Sequence, residues 1–200
     1  MKIKFCGLTR PEDIGFANEL MPDYVGFVLW NKSRRSVEAG KAKVLKDMLS
    51  PKIKAVGVFV DEDVKEVASL LNDGVIDIAQ LHGSEDEKYI EELRSRTYNQ
   101  IIKAFRIRSA DDIIRANTSS ADLILLDAGM GGGASFDWKL VKDVRRPYIL
   151  AGGLDCSNVE EAVRTLYPYG VDVSSGIETG HVKDHAKMRE FAGKVRRIKQ

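Results

Sequence analysis

Two periods alternate along this chain. Short runs with apolar residues at every position or every second position give way to stretches with apolar residues three and four apart, and the exchange repeats to the carboxyl end. Residues 2–6 carry Ile3 and Phe5 in alternation, which predicts a strand. Gly7 lets the chain turn away, and Pro11-Glu12-Asp13 opens a helix over 11–21 with Ile14, Ala17, Leu20 and Met21 on one face. Tyr24-Val25-Gly26-Phe27-Val28-Leu29 is nearly continuous, the pattern of a strand covered on both faces. A polar loop over 31–36 with two adjacent arginines leads to a helix over 37–49, which Pro51 stops.

The same alternation predicts strands over 53–60, 76–83, 101–105, 123–127, 148–153 and 170–176. Helices are expected over 63–72 (ended by Gly74), 85–95, 110–115, from Ser157 or Asn158 onward, and over 184–197. The one over 110–115 reads as short. Such repeating units predict an α/β protein with a parallel sheet, and eight of them close into a single (β/α)8 TIM barrel over 1–200. The barrel must be compact, with lean loops, because about 250 residues is the usual size. An open doubly wound sheet is the rival; the missing GxGxxG after the first strand counts against its dinucleotide-binding form.

Composition changes this picture little. Hydrophobic residues at 44% and charged residues at 30% belong to an ordinary globular chain. A net charge of +1 gives no basic surface for nucleic acid, and no apolar run is long enough for a membrane span. The amino terminus shows no signal-peptide core. The two cysteines, Cys6 and Cys156, form neither a disulfide framework nor a metal-ligand spacing, so a reducing cytoplasm is expected.

In a barrel of this kind the carboxyl ends of the strands line the site. That rule selects Cys6, Arg34 and Arg35, His82, Asp127, Gly152-Gly153 and Ser174-Ser175-Gly176. Each has a plain structural reading as well. A lone cysteine is often a small buried hydrophobe, an aspartate often caps a turn, and a loop arginine is usually solvated. Glycine and serine at strands seven and eight bring backbone N–H groups close to a phosphate, and a short helix starting after Gly176 would add its positive end. Desolvation at the end of an apolar strand would keep Asp127 protonated, and Cys6 on a distant strand could act as its complementary base. Arg35 is suited to a carboxylate, and His82 to a hydrogen bond within the site. His181 and His185 fall in a polar segment and are expected in solvent, and Cys156 is given no role.

Several stretches resemble the phosphoribosylanthranilate isomerase family of tryptophan biosynthesis. They are Lys4-Phe5-Cys6-Gly7-Leu8-Thr9, Val25-Gly26-Phe27, Lys32-Ser33-Arg34-Arg35, Val56-Gly57-Val58-Phe59-Val60 and Gln80-Leu81-His82-Gly83. Further along come Leu125-Leu126-Asp127, Phe136-Asp137-Trp138, Leu150-Ala151-Gly152-Gly153-Leu154 and Val171-Asp172-Val173-Ser174-Ser175-Gly176-Ile177-Glu178. The resemblance implies a (β/α)8 barrel and an Amadori rearrangement of N-(5-phosphoribosyl)anthranilate, with no metal and no organic cofactor. By position it implies Cys6 as general base, Asp127 as general acid and Arg35 at the anthranilate carboxylate. It implies His82 and Asp172 among the substrate contacts, and Gly153 with Ser174, Ser175 and Gly176 at the phosphate. The loop around Gly132 and Gly133 would contribute there. The chain departs from the family pattern in that loop, where Met130-Gly131-Gly132-Gly133-Ala134-Ser135 lacks the usual lysine. The expected partner is a phosphorylated small molecule, and the expected assembly is a monomer or homodimer. A histidine-biosynthesis isomerase on a similar barrel and a non-catalytic phosphate-binding barrel are the alternatives; the first usually carries an aspartate where this chain has Cys6.

Overall fold

The computed structural model describes residues 1–127 and 138–198. Among them, eight parallel strands close into a ring in chain order. They are β1 (Lys2–Cys6), β2 (Tyr24–Val28), β3 (Lys54–Phe59), β4 (Ile78–Leu81), β5 (Gln100–Arg106), β6 (Leu123–Asp127), β7 (Tyr148–Ala151) and β8 (Gly170–Val173). The ring shuts where β8 pairs with β1, placing Lys4 opposite Asp172. On its other edge β1 pairs with β2, placing Cys6 opposite Gly26.

Helices run between the strands: α1 (Pro11–Leu20), α2 (Ala39–Asp47), α3 (Val64–Asn72), α4 (Glu87–Arg94), α5 (Ala110–Thr118), α6 (Trp138–Val141) and α7 (Val159–Leu166). The chain then makes a two-stranded hairpin, β9 (Glu178–Thr179) and β10 (Val182–Lys183), and ends in α8 (His185–Arg197). The alternation of each strand sends one set of side chains outward under the helices and the other into the lumen. Ile3, Phe5, Val25 and Phe27 join the outer layer with Ile14, Leu45 and Phe191. Tyr24, Val56, Ile78, Ile102, Leu123, Leu125 and Ile149 fill the lumen as a separate cluster. This is why the strands read as continuous apolar runs.

Three local expectations need correction. The helix expected to be short is a full α5, opened by a box in which Asp112 accepts from the backbone N–H groups of Arg108 and Ser109. No helix starts after Gly176. The segment instead turns into the β9–β10 hairpin through Gly180 and His181, both at positive φ, the backbone of a tight two-residue hairpin turn. His185 is not a free solvated group: its ring stacks on Phe16 at 4.5 Å, and Nε2 lies 3.0 Å from Glu19.

Candidate active site

A cavity of about 240 Å3 opens at the carboxyl ends of the strands. Cys6, Arg35, His82, Asp127, Gly153, Asp172, Ser174 and Ser175 all line it. These sequence-predicted residues are therefore brought together from β1, β4, β6, β7, β8 and the loop after β2, whereas Arg34 is absent from the lining and lies 3.5 Å from Glu178. Gly176 supports them from behind. A Cβ there would sit 2.0 Å from the Leu154 carbonyl, so only glycine lets this turn pack against the loop after β7. Gly152 and Gly153 both adopt positive φ in that loop, at +92° and +70°. Gly132, Gly133 and the Phe136-Asp137 pair lie outside the described residues.

Cys6 ends β1 with its side chain inward. The chain leaves through Gly7 at φ +76°, where a Cβ would strike Arg35 Cδ at 2.5 Å. Opposite, Gly26 leaves the room that the thiol occupies: a Cβ there would lie 2.7 Å from Cys6 Sγ. Ser174 Oγ donates to the Cys6 carbonyl at 3.0 Å and ties the end of β1 to the turn after β8. Burial pushes the Cys6 thiol above its ordinary range; Lys4 pulls it down, Asp172 pushes it up and Lys183 again pulls it down.

Lys4 is two residues before Cys6 and so shares its face of the strand. It is fully buried and its Nζ lies 3.0 Å from Asp172 Oδ1. Burial lowers its basicity, but Asp172 and Cys6 outweigh that, so it stays charged. Across the cavity the Gln80 amide nitrogen lies 3.0 Å from His82 Nδ1. As donor it leaves the ring proton on Nε2, which lies 3.4 Å from Asp127 Oδ2. Gln80 Oε1 is buried with no hydrogen-bond partner among the described residues.

Arg35 presents its fork to Glu178, with Nε at 2.6 Å and Nη2 at 2.8 Å from the two carboxylate oxygens. Glu178 also receives Lys183 at 2.7 Å, and Lys183 reaches on to the Ser174 carbonyl at 2.9 Å. The carboxylate that Arg35 meets is thus one from within the chain, which engages Nε and Nη2. Lys4, Gly26, Gln80, Glu178 and Lys183 join the site without standing out in the sequence as candidates. Lys4 had a signal, a charge on the same strand face as Cys6. Gln80 had the same signal relative to His82. Glu178 had only its place at the end of a resembling stretch and Lys183 had none, because only the unexpected hairpin sets them side by side.

The fold and this cleft define a (β/α)8-barrel protein with an ionisable thiol and a carboxyl group facing one cavity, beside two small-residue turns suited to an anion. The model of the family described as N-(5'phosphoribosyl)anthranilate (PRA) isomerase matches residues 3–194. The chain belongs to that family. The N-(5'-phosphoribosyl)anthranilate isomerase of Thermoanaerobacter sp. (strain X514) is 43% identical over the full length of both chains. That of Endomicrobium trichonymphae is also 43% identical, over 94% of this chain and 95% of its own. Among solved structures, phosphoribosyl anthranilate isomerase from Thermotoga maritima superposes with a TM-score of 0.88 at 32% identity, covering 99% of this chain and all of that one. A phosphoribosyl anthranilate isomerase in complex with reduced 1-(o-carboxyphenylamino)-1-deoxyribulose 5-phosphate gives 0.86 at 32% identity, with the same coverage.

Proposed function

We propose that this chain, as one domain spanning its eight units, catalyses the Amadori rearrangement of N-(5-phosphoribosyl)anthranilate to 1-(2-carboxyphenylamino)-1-deoxyribulose 5-phosphate. This is an aldose-to-ketose step of tryptophan biosynthesis. The observation that carries the reading is that Cys6 and Asp127, from β1 and β6, line one cavity between the Gly152-Gly153 and Ser174-Ser175 turns. The similar protein solved with the reduced product analogue supports the ligand class.

Asp127, protonated, gives its proton to the ribose ring oxygen. The bond from that oxygen to C1 breaks, and the anilino nitrogen lone pair forms a protonated Schiff base. The Cys6 thiolate takes the proton from C2, and the C–H electrons flow into the C1–C2 bond while the C=N electrons return to nitrogen. The resulting enolamine tautomerises to the ketone, regaining a proton at C1. The turns after β7 and β8 hold the phosphate. The Arg35 donors not engaged by Glu178 hold the anthranilate carboxylate. Anchoring both ends of one substrate supplies orientation worth about 7 kcal/mol or more in favourable cases. His82 donates to Asp127 through Nε2, directing the acidic proton to the other oxygen. Both cysteines are free thiols, and the reading places the protein in a reducing cytoplasm.

The test follows the fluorescence of freshly generated phosphoribosylanthranilate. Rapid loss with wild type, and losses at least about 100-fold slower with Cys6→Ala and with Asp127→Asn, are expected. Near-normal turnover of a folded Cys6→Ala protein would remove Cys6 from the role of base. No turnover by a folded wild-type protein would reject the reaction.

A further inference from the structure

A lysine inside the lumen is expensive. The surrounding cluster is aliphatic and aromatic, and an apolar side chain would fill the same volume without desolvating an ammonium. Lys4 is nonetheless completely buried, and Asp172 is spent on holding it. Its register opposite Asp172 fixes the ammonium in the layer just beneath Cys6. Gly26 shows how near the two groups come. The point its missing Cβ would occupy lies 2.7 Å from Cys6 Sγ and 3.2 Å from Lys4 Nζ. The two atoms therefore lie within the ~6 Å over which an opposite charge stabilises a neighbour.

We infer that Lys4 is the positioning residue that makes Cys6 competent as a base: its ammonium, locked by Asp172, is the fixed counter-charge against which the thiolate forms. The inference rests on the reading of Cys6 given above. Four charged groups bear on the thiol, each from a different element. Lys4 comes from the same strand, Asp172 from β8, Lys183 from β10 and Arg35 from the loop after β2. Lys183 and Arg35 share one carboxylate, Glu178, and Lys183 acts on the thiol more weakly than Lys4 does. Lys4 shares its carboxylate with no other cation among the described residues, and it sits nearest the thiol's own face of the strand. Asp172 has the opposite direct effect, so with Lys4 still charged, removing one member of the pair should move the thiol opposite to removing the other.

The test uses the Cys156→Ser background, so that Cys6 is the single thiol. Its titration is followed by thiolate ultraviolet absorbance and by the pH dependence of alkylation with uncharged iodoacetamide. Lys4→Met and Lys4→Gln are expected to raise the midpoint by about one pH unit or more, and Asp172→Asn to lower it. The acid limb of kcat/KM should rise with the midpoint in the Lys4 variants, and their turnover should recover at high pH. A packing lesion would instead lower turnover uniformly and leave the limb in place. Midpoints that do not move, or that move in the same direction in the Lys4 and Asp172 variants, would overturn the inference. If circular dichroism shows that neither Lys4 variant folds, Asp172→Asn decides alone: a midpoint that fails to fall overturns it. A midpoint that shifts while the limb stays fixed leaves Lys4 coupled to the thiol and rejects Cys6 as the base.

Discussion

Replacing Glu178 with glutamine removes the carboxylate that holds Arg35 and Lys183 together. Its side chain is only 5% exposed, and Lys183 is 2% exposed, so the change strands a buried ammonium beside a guanidinium. Breaking a buried pair from one side costs about 3 kcal/mol or more. The acid-base behaviour of Glu178 gives a second, independent magnitude. Burial alone would raise its pKa, but hydrogen bonds and charge from Arg35 and Lys183 bring it from 4.5 down to about 2. That depression corresponds to about 3 kcal/mol, of which water reaching Arg34 and Arg35 screens a share, leaving about 2. Because the folded value lies below the unfolded one, this stability is present above about pH 5 and is lost as the pH falls through about 2. Rather more than half should be gone by about pH 3. Urea unfolding of wild type and Glu178→Gln, followed by circular dichroism, should give a gap of about 3 kcal/mol at neutral pH that shrinks by more than about 1 kcal/mol at about pH 3. A neutral-pH gap below about 1 kcal/mol, or one that is constant with pH, would refute the reasoning.

Gly26→Ala puts a methyl group on the thiol, and a misplacement of this size should cut kcat about 10- to 100-fold while the protein stays folded; unchanged kcat would show that Sγ has another place to go. Gly176→Ala forces apart the turns after β7 and β8, with an expected stability loss of about 2 kcal/mol and weaker binding of inorganic phosphate by calorimetry. Full phosphate affinity in that variant would detach the turn from the anion. Gln80→Leu removes a buried acceptor without a partner among the described residues and also releases His82, so stability should hold or rise by about 1 kcal/mol while turnover falls. A fall in both would point to a satisfied amide.

The eight strands were legible because a parallel barrel buries both faces of each strand. Val25 and Phe27 belong to the outer layer and Tyr24 to the lumen, and one uninterrupted apolar run records both. Cys6, Asp127 and the Gly-Ser turns were legible because the carboxyl ends of barrel strands are where such groups accumulate. The β9–β10 hairpin was not, since its strands are two residues each and carry no period to detect. Its effect was to hide the closest partner of Arg35. Lys4 was visible but unread: its alternation with Cys6 points it into an apolar lumen, and only the register of β8 reveals the aspartate that makes such a place tenable.

The seam between β1 and β8 has a kinetic meaning. Both of its site contacts, Lys4 with Asp172 and Ser174 with the Cys6 carbonyl, span 168 residues of chain. Contacts of that separation are among the slowest a folding chain can make. During synthesis Cys6 is made well before Asp172 and Lys183, and its electrostatic surroundings wait for them. A partly folded chain, with β1 through β6 already in place, therefore carries a thiol without the charges of Asp172 and Lys183 beside it. The chemistry of Cys6 reports ring closure more directly than helix content does. A circular permutant that joins β8 to β1 in sequence would turn the slowest contact in the molecule into a local one.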